Sequence, residues 1–116
     1  YDYEAVFRLA NQDEAFLARM LRIFLQSTEQ NLAQLEAALA AGDWETVGET
    51  AHKMLPQCRH LGLQEIVGLL KGIELDAKAG KRKEALPGEI EAAAQQLRAV
   101  AREVGKDLKR LEATSS

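Results

Sequence analysis

The chain has 116 residues, the size of one ordinary domain, and 47% of them are hydrophobic, 28% charged and 5% aromatic. The formal net charge of −3, with both signs interspersed along the sequence, gives no sign of nucleic-acid binding. No apolar run approaches the ~20 residues that a membrane-spanning helix needs.

The one cysteine, Cys58, has no partner for an internal disulfide, and a reducing, cytoplasmic setting is the simpler expectation. No basic-then-apolar leader is visible. A start at Tyr1 without a methionine suggests a domain cut from a longer protein, although a stand-alone chain fits the same sequence. Alanine and leucine dominate, and both prolines stand where a helix could bend or begin, so the composition favours an all-helical fold.

In chain order, residues 3–10 read as a short first helix. Residues 12–41 read as a long second helix whose apolar stripe is Leu17, Leu21, Phe24, Thr28, Leu32, Leu35 and Leu39, at spacings of three and four. Gly42-Asp43 places a helix-ending glycine directly before an N-capping aspartate, the signature of a tight helix–helix turn. The third helix runs from Trp44 to about His60, with Trp44, Val47, Ala51, Met54, Cys58 and Leu61 along one face. Gly62 ends it.

A fourth helix spans 64–79, with Ile66, Leu69, Leu70 and Ile73 facing inward, and stops at Gly80. The run Lys81-Arg82-Lys83-Glu84 reads as a solvated loop or helix start. Pro87 suits the first turn of a last helix over 87–112, which buries Ile90, Ala94, Leu97, Val100, Val104, Leu108 and Leu111. Four long amphipathic helices joined by short turns predict an antiparallel up-down four-helix bundle, one domain over residues 1–116, with the short first helix covering one end.

The informative stretch is Thr50-Ala51-His52-Lys53-Met54-Leu55-Pro56-Gln57-Cys58-Arg59-His60. At ~100° per residue the apolar stripe of this helix centres ~130° from His52, so the imidazole is expected at the exposed edge of the bundle. Leu55 falls between the stripe and His52. Gly48 and Pro56, at i−4 and i+4, put no long side chain over the ring. Arg59 points within ~20° of the same direction, two turns on, and Glu45 and Glu49 share the face. Pro56 has no N–H and so frees the carbonyl of His52. Together Gly48 and Pro56 read as clearing access for something large. His60, at the helix end, reads as a cation favoured by the helix dipole.

Several chemistries are excluded for this histidine. Glu49-x-x-His52 has the spacing of a di-iron bundle motif, but it occurs once and points outward, and His52 and His60 stand ~12 Å apart along the axis, so no metal site is expected. Cys58 lies on the opposite, buried face, which argues against a Cys–His pair and makes the thiol a small core residue. No glycine-rich phosphate loop is present, and no cofactor is expected. Phosphoryl acceptance fits. A neutral imidazole is a nucleophile near pH 7. It needs an exposed ring and a nearby cation to balance the incoming charge, for which Lys53 and Arg59 are the candidates.

With those residues in hand, the segment AHKMLPQCRHLGL resembles the histidine-containing phosphotransfer (HPt) domain of bacterial two-component phosphorelays. The usual pattern is Ala-His-x-Leu-Lys-Gly with a later glycine. Ala51-His52 matches, Met54 takes the leucine position, and Gly62 falls at the expected offset. Leu69 to Glu74, LLKGIE, looks like the helix that packs beside the phosphorylated histidine. The usual lysine is Leu55 here and the usual glycine is Pro56, a second way of keeping that spot low.

The resemblance implies a phosphoryl carrier without independent catalysis. It takes a phosphoryl group from the aspartate of a response-regulator receiver domain onto His52 and passes it to another. The receiver contributes most catalytic groups and its own Mg²⁺. Lys53 or Arg59 would replace the family lysine, and Gln57 and Glu74 are candidates for orienting the ring. The edge around Gly48, Leu55, Pro56 and Arg59, with the second helix beside it, would be the docking surface for receivers, in a monomer that could be part of a hybrid kinase. Two other readings remain open at this point. One is the dimerisation helix pair of a sensor histidine kinase, whose histidine is usually followed by an acidic residue where Lys53 stands. The other is a structural helical bundle with no chemistry.

Overall fold

The computed structural model describes residues 1–80 and 83–114, and its helix boundaries follow from local chemistry. Helix α1 is Tyr3–Leu9, started by Asp2, whose carboxylate accepts from the Ala5 N–H. Helix α2 is Glu14–Ala41. It begins two residues later than its apolar pattern suggests, because Asn11 and Gln12 both have left-handed backbone, at φ 58° and 56°, which no right-handed helix includes. Asp13 then caps the first turn by accepting from the Ala15 and Phe16 amides at 3.0 and 3.1 Å.

The α2 helix ends on Gly42 at φ 69°, which leaves the left-handed cap free of side-chain strain. Asp43 caps α3, Trp44–His60, through the Thr46 N–H at 3.2 Å and the Thr46 hydroxyl at 2.6 Å. Helix α4 is Gln64–Ala79. A 3₁₀ turn over Lys83–Ala85 leads into α5, Leu86–Thr114, with Pro87 in its first turn. Lys83 places its ammonium 5.4 Å from the centroid of the Trp44 ring, so that end of the charged run is docked on an aromatic face. Lys81 and Arg82 lie outside the described residues.

The helices form an all-α, antiparallel up-down four-helix bundle in which α2, α3, α4 and α5 each pack on the next and α5 returns against α2. The core follows the stripes, with Leu17, Leu21, Phe24, Leu35, Leu70, Ile73, Leu97 and Val104 closed to solvent. At the stripe edges the structure shifts weight by one residue. Ala38 is buried where Leu39 is half-exposed, Ala93 and Ala94 are both inside, and Val100 and Leu69 are only partly covered.

The α2 and α5 helices, of 28 and 29 residues, outrun the 17 and 16 residues of α3 and α4. The overhang is covered by α1. The Tyr1 hydroxyl donates to Asp107, and the Arg110 guanidinium stands 5.0 Å from the Tyr3 ring, which stacks on Phe7. No described helix is long and apolar enough to cross a membrane.

The candidate phosphoacceptor site

Helix α3 is flanked by α2 and α4, so its outer face stays open along its length. On that face His52 is 67% exposed, with Lys53, Pro56, Arg59 and His60 also at the surface. The helix runs unbroken through Pro56, whose ring lies on the solvent side. The carbonyl of His52 receives no N–H from Pro56.

The ring is not free to spin. His52 Nδ1 stands 2.8 Å from Oε2 of Glu74 on α4, a carboxylate only 16% exposed. A carboxylate only accepts, so the ring nitrogen facing it carries the proton. In the neutral ring that leaves the Nε2 lone pair pointing away from α4, available to an electrophile. Oε2 of Glu74 also accepts from the Lys78 ammonium at 2.8 Å. The Lys78 contact first, and the His52 contact after it, hold the Glu74 carboxyl below the usual carboxylate range against the opposing effect of burial.

The other residues marked by the sequence divide. Lys53 turns to α2, where its ammonium donates to Gln34 Oε1 at 2.9 Å. Gln57 also turns to α2 and donates to Ser27 Oγ at 3.3 Å, so it does not orient the imidazole. Arg59 is exposed, ~10 Å along the axis from His52. Of the two ring-orienting candidates, Glu74 alone makes the contact.

Two positions require correction. Leu55 is only 3% exposed and belongs to the core between α3 and α4, so it cannot line a docking surface. At −60° from His52 it falls where α4 closes over the helix. Gly48 is likewise buried against α4. A Cβ there would lie 3.3 Å from Lys78 Cγ, 3.6 Å from the Ala77 Cβ and 3.7 Å from the Glu74 carbonyl oxygen. Gly48 therefore lets α4 come close; it does not clear a path from solvent.

Lys78 was missed. Its signal was present as Glu74-x-x-x-Lys78, an i,i+4 acid–base pair on one helix face. Only the packing of α4 on α3 shows that this pair ends on a histidine. Cys58 is closed to solvent and burial pushes its thiol up to about 11, which makes it unreactive. Among the described residues no group of three or more potential ligands is gathered to hold a metal ion.

The class of protein follows from the fold together with its likeness to known proteins: an all-α four-helix bundle of the phosphotransfer type, here with an exposed, carboxylate-held imidazole on an open helix face. The comparisons give that class its family. The family model described as the Hpt domain matches residues 19–113, and the chain belongs to this family: it is a histidine phosphotransfer intermediate of phosphorelays. The chain is similar to the histidine-containing phosphotransfer protein B of Pseudomonas aeruginosa PAO1, whose crystal structure superposes with a TM-score of 0.84 at 26% identity over 94% of each chain. A search of curated protein sequences gives no significant match.

Proposed function

We propose that His52 is the phosphoacceptor of this domain and that Nε2 is the nucleophilic atom. The observation carrying the proposal is the pairing of high exposure with a fixed ring, 67% open to solvent yet held at Nδ1 by Glu74 at 2.8 Å. A phosphoaspartate of a receiver domain approaches the outer face of α3. Nε2 attacks phosphorus and the acyl P–O bond breaks, with its electron pair returning to the donor carboxylate. The imidazole keeps its Nδ1 proton and becomes cationic, and the Glu74 carboxylate lies against that charge. The reverse sequence passes the group to a second receiver. In this scheme the receiver brings its own Mg²⁺ and most of the catalytic groups, and the chain contributes a nucleophile with its tautomer already set.

Supporting features are the low profile of Pro56 at i+4 and the solvent-facing side chains of Arg59 and His60 along the same face. These make Pro56 and Arg59 part of the docking surface, which a transient contact of modest area would use. All four helices of the bundle come from one chain, which supports a monomeric single domain and leaves the dimerising kinase hairpin without an observation in its favour. The buried, unpaired Cys58 thiol suits a reducing cytoplasmic setting.

The test is incubation with a phosphorylated receiver domain, wild type against His52→Gln. Labelled wild type and unlabelled variant are expected. Label that ignores the substitution would take His52 out of the role.

A further inference from the structure

A phosphoryl group arriving at Nε2 brings negative charge to a site that already holds the Glu74 carboxylate. The position three residues after the histidine on its own helix is Leu55, an uncharged side chain that is buried. Lys53 is turned away to Gln34, and Arg59 is two turns off. Among the described residues one cation shares a carboxylate oxygen with the imidazole, and it comes from α4. Lys78 Nζ and His52 Nδ1 are both 2.8 Å from the same oxygen, Glu74 Oε2, so the two nitrogens are no farther apart than those two contacts laid end to end.

A second observation explains how the lysine gets there. Its stem passes over Gly48, one turn before His52, where an added Cβ would stand 3.3 Å from Lys78 Cγ. The stem crosses α3 at a residue with no side chain. The ammonium itself remains 60% exposed, on a flexible chain able to follow a new anion.

We infer that Lys78 is the charge-balancing and positioning residue of the phosphohistidine, supplied across the helix pair from α4 and admitted by the Gly48 slot. The inference rests on His52 being the acceptor. Before transfer Lys78 shares Oε2 with the imidazole and helps keep Glu74 ionised, so that the carboxylate can hold the Nδ1–H. After transfer the Nε2–P bond has formed, the donor carboxylate has left with its electron pair, and the ring carries positive charge against Glu74. The phosphoryl dianion is then the uncompensated group, and the Lys78 side chain, exposed and flexible, swings from Glu74 round the ring edge toward it.

The test uses phosphoramidate, a small nitrogen-linked phosphoryl donor that needs no docking surface, and reads the initial rate and final extent of histidine labelling. Proteins compared are wild type and the variants His52→Gln, Lys78→Met, Lys78→Arg and Lys53→Met, with thermal melts alongside. Expected are no label on His52→Gln, a drop of about three- to tenfold in the initial rate for Lys78→Met with an unchanged melt, recovery to within about twofold in Lys78→Arg, and wild-type behaviour in Lys53→Met. Lys78→Met labelling at the wild-type rate, or Arg failing to restore it, overturns the inference while leaving His52 as acceptor. Wild type that takes no label, or label on His52→Gln equal to that on wild type, removes the acceptor reading and the inference with it.

Discussion

The two flanks of α3 are unlike. Toward α2, its polar side chains make ordinary surface contacts: Lys53 with Gln34 and Gln57 with Ser27, each pair exposed or half-exposed. Toward α4, Gly48 and Leu55 are buried, the helices close together, and a largely covered carboxylate joins one histidine and one lysine. Residues adjacent in sequence, His52 and Lys53, thus belong to different sides of the molecule. What equips the histidine is the helix it leans on, not its own neighbours along α3.

The contrast can be broken or sharpened by substitution, and the largest expected effect is on stability. Leu55→Ala removes a closed side chain from the α3–α4 seam, and a loss of about 2–5 kcal/mol is expected in urea unfolding. A near-neutral result would mean that this seam is looser than the one described. Next is Glu74→Gln, which keeps the shape but removes the charge that holds Nδ1. Transfer from a phosphorylated receiver should slow roughly tenfold to a hundredfold, the equivalent of one charge-assisted hydrogen bond of about 1.5–3 kcal/mol.

The same carboxylate predicts a pH effect. Its folded-state pKa is lowered, so its contribution to stability is fully present above the unfolded value of about 4.3 and is lost as pH falls through the lower folded value. The stability difference between wild type and Glu74→Gln should therefore be flat above about pH 5 and shrink under stronger acid. A difference that grows on acidification would reverse the sign assigned here.

Gly48→Ala should cut transfer a few-fold while folding is unharmed, since alanine gains up to about 1 kcal/mol in a helix interior and the Lys78 stem can yield the few tenths of an ångström required. Combined with Lys78→Met it should add nothing further, because both changes remove one contact; additive slowing in that cycle would separate them. The smallest effect belongs to the α2 flank. Lys53→Ala and Gln57→Ala should each lie within about 0.5 kcal/mol of wild type in stability. Their phosphohistidine yield from phosphoramidate should match wild type, and a clear loss in either would bring that flank into the site.

Much of this was legible in the chain itself. Gly42-Asp43 and Gly80 mark helix ends that the structure reproduces, and helical periodicity alone puts His52 at the surface and Cys58 inside. Other features were hidden for physical reasons. A helical wheel gives directions about one axis and says nothing of how closely the next helix approaches, so Leu55, at the edge of the stripe, read as accessible when α4 in fact covers it. Gly48 read as open space above the ring for the same reason. Lys53, Gln57 and Arg59 share a helix with the histidine, but long polar side chains go to whichever neighbour offers a partner, and that choice is made between helices. Glu74 was within reach of sequence reasoning through its motif. Lys78 required knowing that α4 lies antiparallel to α3 with position 77 beside position 48.

Cys58 also gives the molecule a built-in clock. It is the only thiol, 2% exposed, and burial raises its pKa to about 11, so an alkylating reagent can reach it only when α3 parts from the bundle. Its alkylation rate reports how often the helix that carries His52 opens, with no engineered probe. Comparing that rate before and after phosphorylation would show whether the modified state braces the scaffold or loosens it.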